Sequence, residues 1–263
     1  MTSIRGMGRI EVTRSSIGKS INSGKIDVWI FKHLCIYDKA TELIVQESKL
    51  LGHPVNVIDV GCGELWPIRL LWSSIRQRKS ELISSYIGYD VDTKLTFPVN
   101  TDGHELIHFE IINQDLEAVQ KLRQKDNSVE VVLSSQFIEH ISEQAQLKLL
   151  KEIYRVSSKG GLFYLTTLNG GIKPPKDFHI YEPPLDDMLK TLNKVGWKDI
   201  QVHGMTIGMT TIRKAIAEHP ERMSIEFYNQ IKDKFSNSMA RIILATQFPE
   251  YSDNVTYICR KEE

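Results

Sequence analysis

The chain of 263 residues is poor in cysteine, with only Cys35, Cys62 and Cys259, and no two of them stand in a CxxC spacing. That supplies no ligand set for structural zinc and no paired framework for disulfides, so no metal is expected and the thiols should be reduced, as in the cytoplasm. No uninterrupted apolar run approaches the ~20 residues of a membrane helix. Residues 1–25 lack the apolar core of a signal peptide. A cytoplasmic address without a membrane partner is the expectation. Charge bias is absent as well, because 33 basic and 33 acidic residues leave a formal net charge of zero. A protein held mainly by phosphate backbone carries a basic field over its surface. Its absence counts against nucleic acid as partner, while a local basic patch stays open. No internal repeat or low-complexity tract interrupts the chain, and its length suits one large α/β domain with additions.

Residues 1–25 are rich in Gly, Ser and Arg without periodicity and read as a mobile or partner-dependent arm. The domain proper spans 26–263. It opens with a helical cap over 26–52, in which Trp29, Ile30, Leu34, Ile36, Tyr37, Leu43 and Ile44 recur at helical spacing before Gly52 and Pro54. Strand and helix then alternate. Short β-branched or aromatic runs lie at Val55–Val60, Tyr86–Tyr89, His108–Ile112, Val129–Leu133, Leu162–Thr167, Ile200–Val202 and Val255–Cys259. Helical patterns follow Pro67 and span Glu143–Val156 and Leu185–Val195, the last closed by Gly196. Such repetition predicts a doubly wound, mostly parallel sheet covered by helices on both faces. Residues 206–253 break the alternation and read as a helical insertion before the last strand.

Three strand ends carry polar signals. Val57-Ile58-Asp59-Val60-Gly61-Cys62-Gly63 places a Gly-rich turn after the first strand, where backbone can approach a ligand or simply turn tightly. The turn does not complete the dinucleotide fingerprint, because Trp66 stands where a third glycine belongs. Asp90 ends the next strand and could accept both hydroxyls of a ribose, or cap a helix. Asp115 follows the third and could accept from an adenine amino group, or cap the run Leu116–Leu122.

The ordered set VIDVGCG, YIGYD, INQDLE, VVLSSQFIEHI and GGLFYLTTLN, from Val55 to Val202, resembles the Rossmann-like (class I) S-adenosylmethionine (SAM)-dependent methyltransferases, small-molecule members in particular. The resemblance implies SAM as cofactor, an α/β sheet of seven strands and an antiparallel last strand. It implies that Asp59, Gly61 and Gly63 face the methionine part, that Asp90 holds the ribose, that Asp115 and Leu116 bracket adenine, and that Ser134 to Gln136 line the sulfonium side. Many members have a third glycine where this chain has Leu65, so the loop–helix junction is bulkier here.

SAM brings its own electrophile, so the protein must chiefly align the acceptor, with a base needed only for a protonated nucleophile. His140 after strand four and His179 on the loop after strand five are the candidate catalytic residues, each with a bland alternative as helix cap or surface histidine. His203 is a weaker candidate. The Asn/Asp-Pro-Pro-Tyr/Phe motif of amino-methylating DNA enzymes is absent, and so is the Pro-Cys pair of cytosine-5 enzymes. The expected activity is therefore transfer to an oxygen or nitrogen of a small molecule, with 26–52 and 206–253 closing over it. Two other readings stay open: a macromolecular acceptor (RNA or protein) gripped by Arg5, Arg9, Arg14, Lys19 and Lys25, and a SAM-binding scaffold without catalysis. Oligomeric state is not legible.

Overall fold

The computed structural model describes residues 28–74, 79–91, 108–118, 121–173 and 178–262. The N-terminal arm lies outside them.

Helix α1 (Val28–Leu51) buries Ile36, Ala40, Leu43 and Ile44, one stripe at helical spacing, and ends at Gly52, whose positive φ of 71° allows its N–H to return to Ser48 O. Strand β1 (Val55–Val60) is buried at every position but Asn56. That is why its sequence reads as a continuous apolar run, as for parallel strands covered on both faces. Then come α2 (Trp66–Ser74), β2 (Ile83–Asp90), β3 (His108–Asn113), β4 (Val129–Ser135), α3 (Glu143–Val156), β5 (Ser157–Leu168), α4 (Leu185–Val195) and β6 (Trp197–Ile207). The insertion helices α5 (Met209–Glu218), α6 (Ile225–Lys234) and α7 (Asn237–Ala245) precede β7 (Ser252–Lys261).

The strands form one seven-stranded sheet in the order β3-β2-β1-β4-β5-β7-β6. Pairings from β3 through β5 are parallel, and β7 runs antiparallel to both β5 and β6. Helices α1 and α2 pack on one face over Val57, Tyr86, Leu133 and Tyr164. Helices α3 and α4 pack on the other over Ile58, Val132, Phe163 and Tyr257. The expected doubly wound fold is the observed one. Sequence runs marked only the apolar centres of strands. β6 extends through polar residues to Ile207 because its ladder with β7 continues there. The run Leu116–Leu122 is not helical at its described residues, so Asp115 caps no helix; its Oδ1 accepts from Glu117 N at 3.0 Å.

The insertion has its own core, in which Ile212, Ile216, Tyr228, Ile231 and Leu244 gather around Phe248. Tyr228 is buried, whereas Phe227 and Phe235 are exposed. Helix α7 lies close on β6 because residue 204 is glycine: a Cβ there would stand 2.1 Å from Ala245 O.

The chain runs outward from β1 to β3 and returns on the other side of β1 with β4. In open α/β sheets ligands bind beyond the carboxyl ends of strands at such a switch point.

Candidate active site

A cleft of about 660 Å³ lies at that point. Its floor is the β1 turn (Asp59, Gly61, Cys62, Gly63) and the β4 end (Ser135, Gln136), and α1 supplies a wall of Val28, Trp29, Lys32, His33 and Tyr37. The opposite side holds Glu139, His140, His179 and Glu182. From residues 206–253 only Thr206 and Asp253 line it, both at sheet ends.

The Gly turn is built by left-handed backbone. Gly61 (φ 71°) and Gly63 (φ 47°) adopt it freely, and Leu65 adopts it too at φ 60°. A non-glycine there costs about 1–2 kcal/mol. Leu65 offsets this by complete burial against α2 and β2, about 1.5–3 kcal/mol. The bulk at the third position thus points into the core and leaves the turn intact. Asp90 fixes the turn from the next strand, its Oδ2 accepting from Gly63 N at 2.9 Å.

Asp59 is fully enclosed and accepts a 2.6 Å hydrogen bond from Tyr86 OH. Burial pushes its carboxyl up to about 7, the Tyr86 hydrogen bond opposes that, and the charge of Asp90 adds to it. Lys32, buried on α1, donates to Gln136 Oε1 and Asn254 Oδ1, both at 2.9 Å. This ties α1 to the ends of β4 and β7. It also holds Gln136, another non-glycine at positive φ (54°), whose N–H donates to Thr166 O. The Ser134 and Ser135 hydroxyls are buried without a partner among the described residues, and Ser135 lines the cleft.

The histidine side is assembled by backbone. Ile180 N and Tyr181 N both donate to Glu139 O, and Gln146 Nε2 on α3 donates to Ile138 O and Tyr181 O. The loop after β5 is thereby pinned to the 3-10 turn 138–140. His140 and His179 meet edge to face with ring centroids 4.9 Å apart. Glu139 is almost completely buried, and burial raises its carboxyl above the usual range, partly offset by Thr167 Oγ1, which donates to it at 2.9 Å.

Of the residues singled out in the sequence, the fold brings Asp59, Gly61, Gly63, Gln136, His140 and His179 into this cleft and puts Asp90 on its turn. Buried Ser134 and Leu116 and exposed Asp115 are not among the residues that line the cleft. His203, half-buried on β6, is not among the lining residues. Sequence reasoning missed Lys32 and Glu182. The signal for Lys32 was its position four residues before Ile36, on the buried stripe of α1. Glu182 offered none beyond lying three residues after His179.

Residues 58–165 match a family model described as a methyltransferase domain. A protein of Mycolicibacterium smegmatis described as a "probable S-adenosylmethionine-dependent methyltransferase" is 24% identical over 213 residues, 73% of this chain and 74% of that one. Among solved structures, the Burkholderia thailandensis 1,6-didemethyltoxoflavin-N1-methyltransferase, with 1,6-didemethyltoxoflavin and S-adenosylhomocysteine (SAH) bound, superposes with a TM-score of 0.51. Identity is 14%, over 96% of this chain and 88% of that one. The [4+2]-cyclase SpnF superposes at 0.50 with 17% identity, over 86% and 80% of the two chains. At those identities the structures speak for the fold alone. The domain match, these relatives and the sheet topology support a class I SAM-dependent methyltransferase, an enzyme that takes SAM as its methyl donor. No helix among the described residues is long and apolar enough to cross a membrane.

Proposed function

We propose that the enzyme transfers the methyl group to an oxygen or nitrogen of a small molecule held between the β1 turn and the His140–His179 pair. The observation that carries this is the cleft itself: about 660 Å³, walled by α1, is a volume suited to a small ligand beside the methionyl end of the cofactor. The Burkholderia thailandensis enzyme of the same fold has 1,6-didemethyltoxoflavin bound, which is in keeping with this class of acceptor. In this reading Asp59, Gly61 and Gly63 hold the methionyl end, Asp90 the ribose, Ser134 to Gln136 the sulfonium side, and Asp115 with Leu116 the adenine. Helix α1 acts as the cap over the acceptor. The insertion, remote from the cleft apart from its two ends, acts as lid only by moving. Transfer needs little beyond alignment of the nucleophile with the methyl carbon. His140 and His179 are the groups near enough to the acceptor side to take up its proton.

The test is to incubate the full chain with methyl-labelled SAM and a cell extract separated into small metabolites, RNA and protein. Label should enter the small-metabolite fraction. Label confined to RNA or protein would overturn the reading, as would cofactor binding with no transfer to any fraction. With an acceptor in hand, His140→Ala and His179→Ala should each lower kcat by roughly 10²–10⁴ while SAH affinity stays unchanged.

Asp59 gives the binding step a pH dependence. Its free carboxyl, half-protonated near pH 7, must ionise to face the ammonium of the methionyl end. Binding then releases a proton and tightens as pH rises. Between pH 6 and 8 the ionised fraction climbs about tenfold, and SAH affinity should climb with it. Titration calorimetry of wild type beside Asp59→Asn checks this: the variant should show a flat profile, and a flat wild-type profile would contradict the assignment.

A further inference from the structure

The acceptor side of the cleft has a feature that proton uptake does not use. One ligand-capable atom each from Glu139, His140 and His179 lies within 4.8 Å of the others. We infer that these three side chains form a binding site for one divalent cation of the zinc or manganese type, on which a hydroxyl acceptor is held for methyl transfer.

The arrangement around the three residues carries the inference. His140 Nδ1 lies 3.2 Å from Phe178 O, and His179 Nδ1 is hydrogen-bonded to a Glu182 carboxylate oxygen inside the protein, with both side chains nearly buried. A carbonyl or carboxylate on Nδ1 fixes the tautomer with hydrogen there, and so leaves a lone pair on Nε2. Neither Nε2 has a hydrogen-bond partner among the described residues. Histidines that ligate metals are oriented in this way, with the second nitrogen donating to a backbone carbonyl or carboxylate. Glu139 is 2% exposed, and only its Oε2 is engaged by another described residue, Thr167. The carboxylate also accepts from the Glu139 backbone N–H, and both of these donors are neutral. A buried carboxylate in that condition is costly unless a cation or a proton joins it.

Geometry allows the site. Two ligands on one zinc stand at most about 4.2 Å apart, twice a bond of ~2.1 Å. The widest pair therefore has to close by at most ~0.6 Å, within the reach of small side-chain rotations. The pinning of Ile180 and Tyr181 on Glu139 O keeps the loop ligand beside the turn ligands without any metal. Two imidazoles and one carboxylate select zinc, manganese, cobalt or nickel over magnesium and calcium, which take oxygen ligands. Three protein ligands leave coordination positions open, and these residues line the cleft.

The catalytic half rests on the function proposed above and narrows it to oxygen acceptors. A hydroxyl on the cation acidifies and gives its proton to solvent water. Its oxygen then attacks the methyl carbon, the carbon–sulfur bond breaks, and the electron pair stays on sulfur, leaving methylated product and neutral SAH. His140 and His179 then act as ligands in place of proton acceptors.

The test uses the full chain freed of metal with a chelator, without SAM or acceptor, so that its outcome is separate from that of the labelling experiment. Equilibrium dialysis against zinc and manganese, with bound metal quantified, should give one equivalent for the wild type. His140→Ala and His179→Ala should weaken binding by at least about 100-fold, and Glu182→Gln, which removes only the orienting partner, by roughly 10–100-fold. His140 is exposed, so its variant keeps the fold, and thermal unfolding of each variant verifies this. Less than one equivalent on the wild type, or equal affinity in both histidine variants, would overturn the site. If metal binds but a chelated enzyme methylates a hydroxyl acceptor at the wild-type rate, the catalytic half falls.

Discussion

Asp90→Ala should lower the affinity for SAH by at least about 100-fold. The carboxylate sits where β2 ends beside the β1 turn, and one oxygen already receives the Gly63 N–H at 2.9 Å. If it also accepts the two ribose hydroxyls, the substitution removes two charge-assisted hydrogen bonds worth about 1.5–3 kcal/mol each. A loss of about 3 kcal/mol corresponds to about two powers of ten in affinity. The turn also loses its anchor, and Gly63, unrestrained by a side chain, samples other conformations. Titration calorimetry of SAH reads this directly. Thermal unfolding without ligand should change little, because Asp90 is only half-buried and its loss opens no cavity in the core. A variant that binds SAH as the wild type does would remove Asp90 from the cofactor site.

Gly61→Ala should damage fold and binding together. The residue has φ 71°, and a Cβ built on it would stand 2.0 Å from Phe137 Cγ, within the ring. Left-handed backbone costs an alanine about 1–2 kcal/mol, and overpacking adds about 1–3. A total of about 3 kcal/mol lowers Tm by roughly 6–12 °C in a domain of this size. Phe137 is half-buried against the core and immediately precedes Ile138, Glu139 and His140, so moving it also shifts the acceptor side. Gly63→Ala is the matched control. Its φ is also positive, at 47°, but nothing lies within 4 Å of the added Cβ. Only the backbone strain remains, about 1–2 kcal/mol. Differential scanning calorimetry should separate the two variants by several degrees; equal losses would show that the Phe137 contact yields without cost.

The elements most legible in the sequence were those with a local physical marker. Helix α4 ends at Val195 because Gly196 takes φ 119°, and its limits were readable to the residue. Strand β1 was readable because both of its faces are buried. The ends of β6 and β7 were not, since their outer residues are largely polar and their pairing is a long-range fact. Within the site, residues fixed by strand ends were visible: Asp59, Gly61, Gly63 and Asp90 follow from chain order alone. Lys32 was passed over because a lysine in a helix reads as solvated, although it stands on the buried stripe of α1, where it meets Gln136 and Asn254. The Glu139–His140–His179 group joins a turn to a loop about forty residues on, and no periodicity encodes that meeting. Leu65 shows the converse: a sequence departure that suggested a disturbed turn is absorbed by local strain and core packing.

SAM is expected to lie across the β1 turn with its methyl toward Glu139, His140 and His179. A crystal structure of the full chain soaked with SAH tests it most directly. The expected density has the ribose hydroxyls on the Asp90 carboxylate, the homocysteine amino group beside Asp59, and the sulfur between Gln136 and the histidine pair. Density for SAH elsewhere, or a ribose that leaves Asp90 untouched, would contradict the account.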